Sequence, residues 1–168
     1  MKKTLIIAMC CITVLFASCK KEKPYEKFIG SYEGDALLKG TVSVSMGGMS
    51  LNQDMENTVP MVVSLTAGDA DNKLVMTYTP EDQDETYTVI GTITDDQVAF
   101  DPVQIEQEIE GSTVKLTIDM DGVLAGTIFV LNGTFTGNGN ITILDLPTPV
   151  PFTASGTISA NLNKLIEE

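Results

Sequence analysis

The sequence contains no histidine and no tryptophan, its ten basic residues are all lysines, and its three cysteines all fall within the first 19 residues. The lack of histidine removes the commonest general base and the usual partner of a catalytic serine or cysteine. Cys10 and Cys11 lie inside an N-terminal apolar run, so Cys19 is the only cysteine beyond it. That part of the chain cannot form an internal disulfide, and its stability depends on burial and backbone hydrogen bonds.

Positive charge is also scarce. From residue 20 onward, eight lysines face 23 acidic residues, a formal charge of −15, and four of those lysines lie within residues 20–27. A chain this acidic is repelled by nucleic acids and by anionic lipid head groups, so the sequence excludes nucleic-acid binding. Two interpretations of the acidity stay open: solubility, or attraction of cations and basic ligands.

The N-terminal segment has the features of a secretory signal peptide, predicted over residues 1–18. Lys2 and Lys3 precede an apolar run over residues 5–17. The run is shorter than the ~20 residues that a membrane-spanning helix needs, and it is of signal-peptide length. Residues 15–19 (LFASC) place two small residues directly before Cys19. This arrangement resembles the lipobox of bacterial lipoproteins.

The lipobox resemblance implies that Cys19 receives a diacylglycerol, that the peptide is cut before it, and that its new amine is acylated. Phe16 stands where that family usually has leucine, a tolerance similar to that of lipoproteins from gut-dwelling Gram-negative bacteria. The residue after Cys19 is Lys20, and the absence of an aspartate there favours the outer membrane, facing the periplasm or the cell surface. Residues 19–27, polar and lysine-rich, are predicted to be a lipidated tether.

The remaining chain, residues 28–168, is predicted to be one all-β domain. Apolar and polar residues alternate along most of it, most clearly over residues 112–120. Alternation with a period of two indicates strands that bury one face. The pattern predicts about 8–10 antiparallel strands and no helix of useful length.

Glycine and proline predict where these strands end. Gly47-Gly48 and Asp121-Gly122 are hairpin signals, and Pro102 is expected to interrupt a strand. The pattern weakens over residues 50–57, which predicts a loop or a frayed edge. Two further hairpin signals, at residues 132–133 and 138–139, are too close together to be two tight turns, so one of them is expected to be a bulge.

Residues 30–34 (GSYEG) follow the tether and open the first strand. Together with the lipobox and the strand meander, they resemble the calycin-like, or lipocalin-like, lipoproteins of gut bacteria. The resemblance implies an up-and-down antiparallel barrel that holds one apolar small molecule. In lipocalins proper, a tryptophan at this place plugs the closed end against an arginine. Here Tyr32 takes that place, and no arginine is present.

Some apolar residues of the predicted strands would face the interior of such a barrel. They either line a ligand pocket or fill the core, and both interpretations stay open. The candidate ligand-binding residues are Tyr32, Leu74, Met76, Tyr78, Ile118 and Met120.

No metal or cofactor site is predicted. The acidic turns at residues 69–72 and 119–122 resemble fragments of calcium loops but lack the remaining ligands, and turns favour Asp, Asn and Gly for backbone reasons. Four methionines cluster in the sequence, with three interpretations open: Cu(I) binding, an adaptable apolar lip at a barrel mouth, or ordinary gap-filling. These methionines are Met46, Met49, Met55 and Met61.

The sequence therefore predicts a non-enzymatic, membrane-anchored lipoprotein that binds an apolar small molecule inside a β-barrel. It names no catalytic residue and no protein partner. The alternative is a β-sandwich that serves as a structural or adhesion module of a cell-envelope assembly.

Overall fold

A computed structural model of the protein describes residues 23–80, 86–109, 112–141 and 149–166. Cys19 and the predicted signal peptide lie outside these residues. Within them every regular element is a β-strand, and none of the described segments is a helix long and apolar enough to cross a bilayer. The strands are β1 (Gly30–Met46), β2 (Met49–Ala67), β3 (Lys73–Tyr78), β4 (Tyr87–Thr94), β5 (Gln97–Phe100), β6 (Val103–Ile109), β7 (Ser112–Ala125), β8 (Ile128–Ile141) and β9 (Val150–Lys164).

The nine strands form one antiparallel sheet that closes into a ring. Its order is β5-β4-β3-β2-β1-β9-β8-β7-β6, and β5 also pairs with β7. The first and last strands therefore hydrogen-bond to each other, from Tyr32 opposite Lys164 to Val44 opposite Phe152. The predicted all-β antiparallel class is confirmed. A single sheet that closes on itself differs from the two stacked sheets that the β-sandwich alternative requires.

The predicted interruption at Pro102 is confirmed, because the chain leaves the ladder between β5 and β6. Both strands pair with β7: Ala99 lies opposite Asp121, and Val103 lies opposite Ile118. Proline has no backbone N–H to donate, so it suits a gap in the ladder. β5 and β6 thus behave as two halves of one bent strand, and this bend brings β5 against β4 while β6 extends along β7.

The β1–β2 hairpin turns at Gly47 and Gly48, as predicted, with φ angles of 59° and 83°. Two consecutive positive φ angles match the right-handed twist of the flanking strands and favour glycine. The loop expected as one alternative over residues 50–57 is wrong, because β2 pairs with β1 from Met49 onward. The other alternative, an edge, agrees with the pairing of β2 with β3, which among the described residues covers only Val63–Ala67, although the edge is not frayed. The apolar pattern weakens there because the residues are exposed, while the ladder itself is unbroken.

The hairpin predicted at Asp121-Gly122 is wrong. β7 runs through both residues to Ala125, and the chain turns at Gly126, whose φ is 66°. The Phe129 ring explains the glycine at position 122: a Cβ there would lie 2.6 Å from Cε2 of that ring. Gly122 is a point of close approach rather than a turn residue.

The other two hairpin signals are also interior to a strand. Gly133 and Gly139 both lie within β8, whose register with β7 and β9 runs without a break, so the predicted bulge is wrong as well. Side chains again occupy the space of a Cβ: that of Met120 at Gly133 and the Phe152 ring at Gly139, where the separations would be 2.9 and 2.8 Å.

The two ends of the ring differ. The end that carries the connections at residues 68–72, 95–96 and 126–127 is called the closed end, because fully buried side chains fill it. Phe129 is the centre of this packing, with Phe28 and Phe100 each 6.4 Å away, edge-on, and Tyr32 at 5.6 Å. The core there consists of Phe28, Tyr32, Val63, Leu65, Leu74, Val98, Phe100, Phe129, Leu131 and Leu162.

Two lysines of the predicted tether contact the closed end. The amine of Lys23 lies 3.0 Å from a carboxylate oxygen of Asp71, in the β2–β3 connection, and this contact raises the pKa of Lys23. Lys27 pairs with Asp96, in the β4–β5 turn. The chain therefore enters the domain at its closed end, opposite the β1–β2 turn.

We expect Gly122→Ala to destabilise the protein, because its methyl group would displace the Phe129 ring at the centre of the core. Overpacking of this kind costs about 1–3 kcal/mol, measurable by urea unfolding. Gly137→Ala, in β8, is the control: its nearest contact would be 3.4 Å, so its free energy of unfolding should change little. Equal stabilities for the two variants would contradict this packing.

Candidate functional site

An apolar cavity of about 500 Å³ lies inside the ring, at the end opposite the closed end. This end carries the β1–β2 turn and is called the mouth. Strand alternation builds the cavity wall, since every second residue of each surrounding strand points inward. Its lining residues are Ala36, Leu38, Val59, Met61, Met76, Tyr78, Pro80, Tyr87, Val89, Val103, Ile105, Val114, Leu116, Ile118, Met120 and Ile158.

The floor of the cavity is the upper layer of the core. Met61, Met76 and Met120 are buried and lie between the open space and the aromatic cluster around Phe129. Methionine is unbranched and flexible, so it adapts to an irregular boundary between a packed region and an open one. The cavity thus ends where the aromatic side chains begin.

The structure places four of the six predicted ligand-binding residues on the cavity wall: Met76, Tyr78, Ile118 and Met120. The other two, Tyr32 and Leu74, are fully buried in the core of the closed end, beneath the cavity. All six side chains belong to the inward face. Alternation fixes which face a residue occupies but not how far along the strand the packed core ends.

Sequence reasoning missed most of the wall, including Leu38, Val59, Val89 and Leu116. The signal was present, because each belongs to the apolar face of an alternating strand. Val103 and Ile105 also line the cavity, and they alternate with the polar residues Gln104 and Glu106 along β6. Proximity of a position to the turns at the mouth would have separated wall residues from core residues.

The cavity offers a ligand apolar contact and almost no charge. Among the described residues that line it, none is acidic or basic, and the polar side-chain groups are the hydroxyls of Tyr78 and Tyr87. These tyrosines lie opposite each other on β3 and β4. An uncharged wall favours an uncharged ligand portion, because burying an unpaired charge is costly.

The acidic turns do not gather into a metal site among the described residues, where no group of three or more Asp, Glu, Cys or His side chains could hold an ion. Asp71 pairs with Lys23. Asp119 and Asp121 are exposed on β7, and each lies on its outward face. The fragments that resemble calcium loops are therefore a turn and a strand in this structure.

The methionine cluster divides along the β1–β2 hairpin. Met61 lines the cavity, whereas Met46 and Met49 flank the turn and are 50% and 75% exposed. Gap-filling in a core therefore does not describe these two methionines. Met55 is half-buried between the two groups.

Tyr32 seals the closed end through three contacts. Its hydroxyl donates a hydrogen bond of 2.8 Å to the carbonyl of Phe28, and its ring packs on Phe129. The amine of Lys164, on β9, lies 5.7 Å from the centre of the Tyr32 ring. Burial raises the pKa of Tyr32 above its ordinary value of 10.0, because the phenolate would lose its hydration.

Comparison with known proteins identifies no relative. The sequence matches no protein-family model and no curated protein. Among solved structures, a multidomain protein of Bacteroides ovatus that includes DUF1735 is 11% identical to this chain, with a TM-score of 0.29. The match covers 84% of this chain and 52% of the Bacteroides ovatus chain, so this chain spans about half the length of that protein. The ywiB protein of Bacillus subtilis is 10% identical with a TM-score of 0.24, over 77% of this chain and 92% of the other. Neither similarity supports a functional inference.

We expect Tyr32→Phe to lower stability at neutral pH by about 1 kcal/mol, because the buried Phe28 carbonyl loses its hydrogen-bond donor. The raised pKa favours the protonated tyrosine in the folded state, so its contribution is complete below pH 10 and is lost as pH rises through the raised value. The difference between wild type and variant, measured by urea unfolding, should therefore narrow above pH 10. A constant difference from pH 7 to pH 11 would contradict this assignment.

Proposed function

We propose that this protein is a membrane-anchored lipoprotein whose ring of strands is a calycin-like barrel that binds an apolar small molecule in its cavity. The observation that carries the proposal is the cavity itself: about 500 Å³ of space with a wall that is almost wholly apolar. Small-molecule sites are typically concave, mostly apolar and about 300–1,000 Å³ in volume. Small barrels can also fill their interior with side chains, so open space here is a specific feature.

Two features of the ring support the calycin-like assignment. β9 returns to pair with β1, as an up-and-down barrel requires. At the closed end, Tyr32 occupies the place that lipocalins give to tryptophan, and Lys164 of the last strand packs its amine over the ring. A lysine over a tyrosine is the same kind of cation–aromatic contact as the arginine over tryptophan that the resemblance implies.

The proposed role is binding rather than catalysis. The sequence has no histidine, and the only cysteine of the mature chain is the proposed lipid anchor. The described part of the cavity wall adds no carboxylate or amine that could act as a general acid, a base or a nucleophile. A ligand held there would meet apolar contacts and two tyrosine hydroxyls.

The proposed anchor is a set of acyl chains on Cys19, which would fix the protein to the outer membrane. One chain binds a bilayer only marginally, and several together hold a protein stably. Only residues 20–22 separate Cys19 from Lys23, which contacts the closed end, so the proposed anchor would hold the domain close to the membrane surface.

For the anchor, we expect cells grown with labelled palmitate to incorporate label into the wild-type protein and none into Cys19→Ala. The variant should move from the membrane fraction to the soluble fraction, because no thiol remains to accept the diacylglycerol. Cys11→Ala is the control and should keep the label, since Cys11 lies in the segment that is removed. Equal labelling of wild type and Cys19→Ala would contradict the anchor.

For the ligand, we expect the neutral apolar dye N-phenyl-1-naphthylamine to fluoresce on binding the soluble domain. Val59→Trp should weaken that binding by about tenfold or more, because an indole added to the cavity wall takes up the space of the dye. Val62→Trp is the matched control, three residues away on the same strand but 53% exposed on the outer face. Unchanged dye binding in Val59→Trp, or no dye binding in the wild-type domain, would contradict the proposal that the cavity binds an apolar ligand.

A further inference from the structure

The inward face of the β1–β2 hairpin continues beyond the cavity. The register of the two strands is unbroken from Gly30 opposite Leu65 to Met46 opposite Met49. Because side chains alternate strictly between faces, residues near the turn stay on the same face as the wall residues Leu38 and Val59. On β1 the apolar wall therefore continues through Val42 and Val44 to Met46, whereas on β2 the polar residues Asn57 and Gln53 lie on the same face between Val59 and Leu51.

The apolar residues of this continuation, called the hairpin track, are largely exposed. Met46, Met49 and Leu51 are 50%, 75% and 72% exposed. Near the turn, the opposite face of the hairpin carries threonine, serine, asparagine and aspartate side chains, so the exposed apolar residues between positions 42 and 51 lie on one side. The hairpin track comprises Val42, Val44, Met46, Met49 and Leu51, with Ala154 and Phe152 beside it on β9.

The free edge of the hairpin is poorly suited to pairing with another strand. β2 pairs with β3 only from Val63 to Ala67, which leaves the edge of β2 nearer the turn without a strand partner among the described residues. That edge carries Asp54, Glu56 and Pro60, and charge and proline are the usual protection against edge-to-edge association. The apolar face of the hairpin, rather than its edge, is the surface available to a partner.

We propose that the ligand is a single-chain amphiphile, whose tail end occupies the cavity while the rest of its chain lies along the hairpin track. This inference rests on the proposed binding function and specifies its ligand class. From Leu38 to Met46 the strand rises about 26 Å, so the cavity and the track together suit an elongated molecule. The described residues of the cavity wall carry no charged side chain, so the proposed position of the polar head group is outside the cavity, near the turn.

The side chains of the hairpin track fit this ligand. Flexible methionines adapt to a chain whose conformation varies, as they do on other promiscuous apolar surfaces. A compact ligand would be complete within the cavity and would leave the exposed side chains near the turn without contact. A ligand longer than the cavity would contact these exposed apolar residues.

A series of n-alkyl maltosides of increasing chain length, each used below its micelle concentration, tests the inference by displacing N-phenyl-1-naphthylamine from the soluble domain. Affinity should rise about fourfold for each methylene that enters the cavity, the equivalent of ~0.8 kcal/mol. Once the alkyl chain is long enough to fill the cavity, affinity should keep rising about twofold for each further methylene, since the hairpin track covers only one side of the alkyl chain.

Leu51→Asp should abolish the twofold rise per methylene beyond the cavity and leave the fourfold rise within the cavity unchanged. Met49→Asp should do the same. Asn52→Asp is the matched control, with the same added charge on the opposite face of the same strand. A wild-type series that stops rising once the cavity is filled, or that is unaffected by Leu51→Asp, would overturn the inference while leaving the cavity proposal intact. No displacement at any length would instead contradict both proposals.

A second copy of the chain is the competing occupant of the track. In that case the wild-type domain should be dimeric by light scattering, Leu51→Asp should be monomeric, and the two should bind every maltoside equally. This result would also overturn the inference.

Discussion

β1 and β9 lie at opposite ends of the folded chain, and their hydrogen bonding closes the ring. This contact gives most strands a neighbour on both sides, which limits the unpaired edges that a long meander would otherwise expose. It also creates the cavity, because a wall drawn from β1, β2, β3, β4, β6, β7 and β9 surrounds a space only when the sheet curls back on itself. Closing a long loop costs little more than closing a short one, since each doubling of its length adds only about 0.6 kcal/mol.

A second regularity holds the ring together from inside. Each phenylalanine within the strands lies over a glycine of a neighbouring strand: Phe129 over Gly122, Phe100 over Gly91, and likewise Phe135 over Gly156 and Phe152 over Gly139. A ring laid across a glycine covers backbone that has no side chain of its own, and glycine lets a strand curve. Large and small side chains thus pair across strands, and no disulfide contributes to the described fold.

The sequence predicted the fold class and the inward face of the strands because both follow from the alternation of polar and apolar residues. The sequence placed several turns wrongly because the glycine of an Asp-Gly or Asn-Gly pair can have either of two structural roles. In a turn, glycine supplies a positive φ; in this ring, Gly122, Gly133 and Gly139 make room for Phe129, Met120 and Phe152. Only the partner across the strand pair distinguishes the two cases, and that partner is distant in sequence.

In the candidate site, too, local sequence predicts which face a residue occupies but not what packs against it. Met76, Tyr78, Ile118 and Met120 were correctly assigned to the inward face and do line the cavity, whereas Tyr32 and Leu74 lie below it. Depth along the ring depends on where the aromatic cluster around Phe129 ends, and that boundary is a property of packing among many strands. Distance from the turns at the mouth orders the positions along each strand, but it does not give the depth at which the packed core ends.

The ion pairs of Lys23 with Asp71 and Lys27 with Asp96 determine an orientation. Cys19 precedes Lys23 by four residues, which span about 14 Å at most. Under the proposed lipidation of Cys19, the domain would rest with its closed end towards the anchoring leaflet and its mouth towards the aqueous side. Cargo would then be exchanged with whatever approaches from that side, and the bilayer beneath would serve as a support rather than as the source.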